Sequence, residues 1–193
     1  MDKKSDYRVQ LTRRMFRQAL TDLLREKPLQ KITVKELCQL AGVNRGTFYA
    51  HYQDLYDLME QLEREMMEEL TLALARFEEQ TPHTGREIPL STYLALFQFF
   101  DKNADMCTVL LGEHSDKRFV SQLVALGREK FLEVYSRLYP QAERQKLEVY
   151  YSFAASGCIG LLEEWIESGR RVPVSVLAAD VEQILTGGLR FLE

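Results

Sequence analysis

At 193 residues the chain has room for one large domain, or for a small one joined to a medium one, and its hydrophobic share of 46% is ordinary for a globular protein. No apolar run approaches the length needed to span a bilayer, and the charged start MDKKSDYR lacks the apolar core of a signal peptide. Three widely spaced cysteines, Cys38, Cys107 and Cys158, argue against a disulfide framework and for a reducing cytoplasm, where they serve as small hydrophobes. The net charge of −4 argues weakly against nucleic acid, but its distribution does not. Residues 1–52 carry eleven Lys and Arg against five Asp and Glu, a balance of +6, while the remainder carries fourteen against twenty-four, −10. A basic head on an acidic body turns the head toward a polyanion.

Residues 1–6 read as a basic arm in which Lys3 and Lys4 either reach a phosphate or do nothing. The first helix runs from about Tyr7 to Glu26, with Phe16, Ala19, Leu20, Leu23 and Leu24 as its inner stripe and Arg8, Arg13, Arg14 and Arg17 keeping its outer side basic. Pro28 ends it by disfavouring helix at Lys27, and Ile32 helps to close a three-helix core.

The stretch TVKELCQLAGVNRGTFYAHY, residues 33–52, organises the rest. Thr33 followed by Glu36 is a capping box, in which the hydroxyl meets the amide three residues on and the glutamate reaches back. Val34, Leu37, Cys38 and Ala41 recur as one apolar helix face, and Gly42 stops that helix in a left-handed conformation. Asn44 caps a second, short helix. Helix, glycine turn and helix within about twenty residues is the helix-turn-helix pattern, whose second helix enters the major groove of DNA. At about 100° per residue, Arg45, Gly46 and Tyr49 share one face while Phe48 and Tyr52 lie on another, with Phe48 as the anchor in the core. Arg45 suits either a guanine edge or a phosphate, Gly46 admits close backbone approach, and Thr47 and the Tyr49 hydroxyl can donate to phosphates. A helical hairpin of this kind also occurs in helical proteins that bind no DNA.

A long helix from Asp54, its N-cap, to about Glu79 carries the apolar stripe Leu58, Leu62 and Met66, and Glu60, Glu63, Glu65, Glu68 and Glu69 read as a solvated face. It is a rod able to carry a movement from one end to the other. Residues 80–90 read as a loop, since they hold two prolines and a glycine without periodicity. Helices follow at Ser91–Lys102, Asp105–Leu111, Asp116–Tyr139, Gln141–Ser168 and Val174–Phe191. No stretch sustains period-two alternation, so no sheet is expected. Gly157 and Gly160 lie inside a helix at a cost of about 1 kcal/mol each against alanine, which points to close packing against another helix or a ligand.

The run Thr47-Phe48-Tyr49-Ala50-His51-Tyr52 resembles the T-[FL]-Y-x-[HY]-[FY] motif of the TetR family of bacterial repressors, and the similarity extends from about Tyr7 to Leu62. The resemblance implies an all-α fold, with a three-helix DNA-binding domain at residues 1–53 and a ligand-binding and dimerisation domain at 54–193, of which 54–79 is the connecting helix. It implies a DNA-contacting set of Thr33, Lys35, Asn44, Arg45, Gly46, Thr47, Tyr49 and His51. For His51 the resemblance is the sole support, because the helical count turns that residue inward. Family members usually open the connecting helix with a phosphate-binding lysine, and Leu55 stands there instead. The resemblance further implies that the last two helices pair with a second copy in a four-helix interface, for which Gly157, Leu161, Trp165, Leu185 and Leu189 are the candidates. A monomeric helical core is the alternative.

Catalytic and metal motifs are absent. His51, His83 and His114 are far apart without CxxC or HExxH companions, and there is no phosphate-cradling loop or GxSxG elbow, so no metal, cofactor or enzymatic activity is expected. Glu163 and Glu164 read as a solvated helix edge. The leading reading is a repressor that binds a near-palindromic operator as a homodimer and is released by a small apolar or aromatic ligand. Tyr93, Phe97, Phe100, Tyr135 and Tyr151 are the candidate pocket, although aromatics at helical spacing also serve as plain core. A regulator whose C-terminal part only dimerises or binds a protein, and a helical enzyme or carrier with an incidental hairpin, are the competing readings.

Overall fold

A computed structural model describes residues 3–80, 90–111 and 117–193. Among the described residues the chain is all-helical: α1 (Lys3–Glu26), α2 (Val34–Ala41), α3 (Arg45–Tyr49), α4 (Leu55–Gln80), α5 (Leu90–Lys102), α6 (Ala104–Leu111), α7 (Arg118–Leu138), α8 (Arg144–Glu167) and α9 (Val174–Gly188). Single 3-10 turns at Leu29–Lys31 and Leu189–Leu192 follow α1 and α9. The 81–89 part of the expected loop, together with His83 and His114, lies outside the described residues.

The apolar stripes explain the packing. Phe16, Ala19, Leu20 and Leu24 of α1 close over Leu37, Cys38 and Ala41 of α2, Phe48 of α3 and Ile32. The same core continues without a break through Leu55, Leu58, Leu62, Met66 and Leu70 of α4, the phenylalanines of α5, and Met106, Cys107 and Leu110 of α6, to Leu162, Trp165, Ala178 and Val181. A second core, of Phe131, Tyr135, Tyr139, Leu147, Tyr150, Ala154, Leu189 and Leu192, joins α7, α8 and the C-terminal turn. The Phe131 and Tyr135 rings stack there at 4.2 Å, with Tyr150 at 5.7 Å from Phe131.

Two positions expected on solvated faces are not there. Glu63 is buried within the α4 stripe. Arg17 is half-buried, and its guanidinium donates to Asn103 Oδ1 at 2.9 Å. Helical periodicity marks the side that faces the chain's own helix bundle, but it does not say how far a neighbouring helix wraps around that side.

The glycines also sort differently from expectation. A Cβ at Gly157 or Gly160 would meet nothing within 4 Å, so none of the described helices of this chain requires glycine there. The close approaches are at Gly127, where a Cβ would stand 2.5 Å from the Tyr151 hydroxyl, and at Gly188, 3.2 Å from the Tyr150 ring. Both tyrosines donate to helix carbonyls, Tyr151 to Val124 at 2.7 Å and Tyr150 to Leu185 at 2.6 Å. At Gly127 the missing β-carbon is what leaves room for the Tyr151 hydroxyl, and at Gly188 a β-carbon would press on the Tyr150 ring.

Candidate nucleic-acid interface

The α2–α3 unit is fixed by its ends. The Thr33 hydroxyl accepts from the Glu36 amide at 3.2 Å, and Glu36 Oε2 accepts from the Thr33 amide at 2.9 Å and its hydroxyl at 2.8 Å. Lys27 adds an ion pair to Glu36 Oε1 at 2.7 Å. These donors, Lys27 first and then Thr33, hold the Glu36 carboxyl down at about 2. Such a depressed group stabilises the fold fully above its ordinary value of 4.5 and loses that contribution as the pH falls toward 2. Urea midpoints of the wild type and Glu36→Gln are therefore expected to converge through that acid window. A gap that stays constant from neutral pH downward would show that the box contributes nothing through its charge.

Gly42 turns the chain with φ of 66°, and the Asn44 side chain then accepts from the Gly46 amide at 2.8 Å to start α3. With five residues, α3 is too short to hold itself. The buried Phe48 ring anchors it edge-on against Phe16 at 5.5 Å, and Tyr52 packs beside both. This anchoring turns Asn44, Arg45, Gly46 and Tyr49 outward, with Lys35 of α2 also exposed. Lys35 and Arg45 make no ion pair with another described residue. A Cβ at Gly46 would meet only Asn44 Oδ1, at an ordinary 3.5 Å, so the fold itself does not require glycine there. Thr47 and His51 are half-buried, and the Thr33 hydroxyl is already used within the capping box. The eight expected DNA-contacting residues therefore divide into four that stand exposed without their side chains being spent on a cap (Lys35, Arg45, Gly46, Tyr49), two caps, Asn44 and Thr33, that are exposed but engaged, and the half-buried Thr47 and His51.

Leu55 is buried in the core, so α4 opens without a cation. Its first turn is closed by carboxylates: Asp54 Oδ1 accepts from the Asp57 amide and Asp57 Oδ2 from the Gln53 amide, each at 2.8 Å. Those bonds hold the Asp57 carboxyl below its usual range, the Gln53 amide being the largest cause.

Residues 87–187 match a TetR family model described as transcriptional regulator C-terminal region. The chain belongs to the TetR family of transcriptional regulators. Over 58 residues it is 38% identical to the uncharacterized HTH-type transcriptional regulator YxbF of Bacillus subtilis (strain 168), a match covering 30% of this chain and 15% of that protein's length. Its fold is similar to that of a TetR-like transcriptional regulator from Rhodococcus sp. RHA1, with a TM-score of 0.70 at 16% identity over 93% of this chain and 96% of that one. It is also similar to the fatty acid degradation regulator FadR from Bacillus halodurans, with a TM-score of 0.66 at 16% identity over 93% and 96% of the two chains. NalD, the secondary repressor of the MexAB-OprM multidrug efflux pump in Pseudomonas aeruginosa, aligns with a TM-score of 0.56 at 20% identity over 92% and 96%.

In this TetR family member the five pocket candidates do not share one cluster. Phe97 and Phe100 are buried in the main core with Tyr93 packed against it, while Tyr135 and Tyr151 belong to the second core. Tyr93 sits at the seam: burial raises its phenol well above the ordinary range, and Tyr135, Tyr150, Cys158 and Glu182 are near enough to add to that. Burial likewise pushes the Cys158 thiol up to about 11 and the Tyr151 phenol to about 12. A depression of about 350 Å³ lies elsewhere, at the α7–α8 turn, lined by Leu132, Glu133, Ser136, Pro140, Ala142, Arg144 and Leu147, and it shares no residue with the candidates.

The dimer candidates divide as well. Trp165 and Leu189 are buried in the chain's own cores, Trp165 also donating from its indole to the Val172 carbonyl at 2.8 Å, and Leu185 is half-buried. Trp165 and Leu189 would reach a second chain only by repacking, whereas Leu185 keeps part of its surface exposed. Gly157 and Leu161 do lie on exposed surface, beside Val149, Phe153 and Gly160 of α8. On α9 and just beyond it, Val176, Ile184, Gly187 and Phe191 are exposed too. The 149-153-157-160 spacing was legible as a stripe, but nothing in the sequence says which of two stripes on α8 faces inward. Among the described residues no helix is long and apolar enough to cross a membrane, and no cluster of His, Cys, Asp and Glu could hold a metal.

Proposed function

We propose that this regulator is a homodimeric repressor that acts in the cytoplasm on a near-palindromic operator. Residues 1–53 serve as its DNA-binding head and 54–193 as its dimerising and ligand-sensing body. The observation that carries this is the basic α2–α3 unit, which turns Lys35, Arg45 and Tyr49 outward with no ion pair to occupy the two cations. Arg45 and Tyr49 carry sequence recognition, Gly46 lets the backbone approach, and Lys35 and Asn44 contact phosphates. Thr47, His51 and Thr33 contribute once DNA has displaced their present partners or water. The test is DNA selected from a random-sequence library by the wild-type protein. Arg45→Ala is expected to weaken binding to it by about 1–3 kcal/mol if the guanidinium reads a base. If it touches phosphate alone, all sequences weaken alike and the salt slope falls by about one. Undiminished affinity would exclude both roles.

Release is assigned to a small apolar or aromatic ligand that enters the seam between the two cores, among Tyr93, Phe97, Phe100, Tyr135 and Tyr151. A ligand that prefers the heads misplaced weakens DNA binding by its differential affinity, about 5–150-fold for typical couplings, and DNA must weaken the ligand by the same factor. Titrating a candidate ligand with and without DNA compares the two. Equal affinities for both forms would show that the seam does not control the heads.

A further inference from the structure

We propose that Asn103 is a positioning residue for DNA binding: through its bond to Arg17 it fixes the angle at which the head is held on the body. Asn103 occupies the single residue between α5 and α6 and is buried. Both polar atoms of its side chain are bonded. Nδ2 donates to the Phe99 carbonyl of α5 at 3.0 Å, and Oδ1 accepts from Arg17 of α1 at 2.9 Å. Its own carbonyl accepts from the Cys107 amide and so starts α6. One residue thus ties the first helix of the head, through its side chain, to the end of α5 and, through its own carbonyl, to the start of α6.

The contacts around it run along the same seam. Thr21 Oγ1 lies 3.6 Å from Met106 Sδ, in a fully buried pair. One turn further, Arg25 pairs with Asp105 at 2.6 Å, although this pair is exposed and contributes little alone. One turn earlier than Arg17, α1 meets α4 through Arg13 and Glu65, at 3.3 Å and also exposed. Of the polar links from α1 to α4 and α6, the Arg17–Asn103 bond pairs a charged donor with a buried acceptor. Breaking it leaves a half-buried charge or a buried amide unsatisfied, which is the costly kind of loss. In the structure the bond is made; broken, it would leave α1 held to α6 by the buried Thr21–Met106 contact and the apolar core around it.

Such a pin matters to a protein that must place two heads on one duplex, and the inference rests on the reading of the chain as a dimeric DNA-binding regulator. Recognition helices have to meet successive major grooves about 34–36 Å apart, so a loosened head weakens binding to two half-sites without altering the chemistry at either one. Loss of the pin therefore has a signature that loss of a DNA contact, or general destabilisation, does not share.

The probe is the duplex that the wild-type protein selects from a random library, used whole and cut to one half-site at a fixed salt concentration. Arg17→Met, at a half-buried position, and Asn103→Leu, of similar volume, are expected to weaken binding to the whole duplex by about fivefold or more, with binding to the half-site unchanged. Because the two side chains act as one unit, the double variant is expected to bind no worse than the weaker single variant. Asn103→Asp keeps the acceptor for Arg17 but loses the Nδ2 donor to the Phe99 carbonyl, and is expected to recover a part of the whole-duplex binding that Asn103→Leu loses. Equal weakening on whole and half duplexes, no weakening on either, or additive losses in the double variant would overturn the proposal. If Asn103→Leu fails to fold, Arg17→Met and Asn103→Asp decide the matter. A wild-type protein that selects no DNA overturns the DNA-binding reading itself. Selection of a duplex that the Arg17 variant binds normally overturns the pin alone.

Discussion

Phe48→Ala is expected to destabilise the protein by about 3–5 kcal/mol, the usual cost of emptying a fully buried phenylalanine site. Its ring is wholly buried and meets Phe16 at 5.5 Å, Tyr49 at 5.4 Å and Tyr52 at 5.5 Å, the first two edge-on. Each such pair adds about 0.5–1.5 kcal/mol beyond the area it buries. Against a total stability of about 5–15 kcal/mol the loss is large, and it falls on the five-residue helix that carries Arg45 and Tyr49. DNA binding is expected to disappear with it. Chemical denaturation followed by circular dichroism checks the first part, with Arg45→Ala as the control that loses affinity and keeps its midpoint. A shift below about 1 kcal/mol would mean that the aromatic cluster repacks and does not anchor α3.

On the proposed homodimeric reading, Phe153→Asp is expected to give a folded monomer. The side chain is 75% exposed in the single chain and lies on the α8 stripe with Val149, Gly157 and Gly160. Two glycines with open space around them let a second backbone come close, and an isologous contact brings each residue of the stripe to the same patch on its partner. A carboxylate introduced there would be buried twice, once in each chain, with no counter-ion assigned to it. Because the native ring touches little of its own chain, the monomer should keep its thermal transition. Light scattering should then report about 22.5 kDa in place of twice that mass. Loss of the linked second head should lower operator affinity by about 10²–10⁴-fold. A variant that remains a dimer with full affinity would move the interface away from this stripe.

The parts of this fold that depend on near neighbours were legible in the sequence. Thr33 with Glu36, Gly42 and Asn44 each specify a cap or turn within a few residues, and the bonds found are those the residue types require. The outward set of α3 followed from the same short-range count once Phe48 was taken as the anchor. What depended on distant partners was not legible. Arg17 reads as one more arginine on a basic face, and its acceptor is 86 residues away. Glu63 stands in a run of acidic residues, and no periodicity separates it from its solvated neighbours. Trp165 and Leu185 read as candidates for a second chain because α8 and α9 are apolar on more than one side, and spacing cannot say which side the chain covers itself. The glycines show the same limit: Gly157 and Gly160 announce a close approach without saying to what, while Gly127 serves a tyrosine hydroxyl from the next helix.

The burial of Trp165 and Leu189 within the chain's own cores bears on gene dosage. On the proposed homodimeric reading, a chain that completes these cores by itself can fold before it meets a partner, and monomer and dimer then stand in an equilibrium set by concentration. Below the dissociation constant of that equilibrium, the number of dimers varies as the square of the number of chains. Halving the supply of the protein then leaves about a quarter of the dimers, a steeper response than an obligate dimer of the same affinity would give. On that reading, occupancy of the operator would follow the rate at which the protein is made and diluted by growth, a control that needs no ligand.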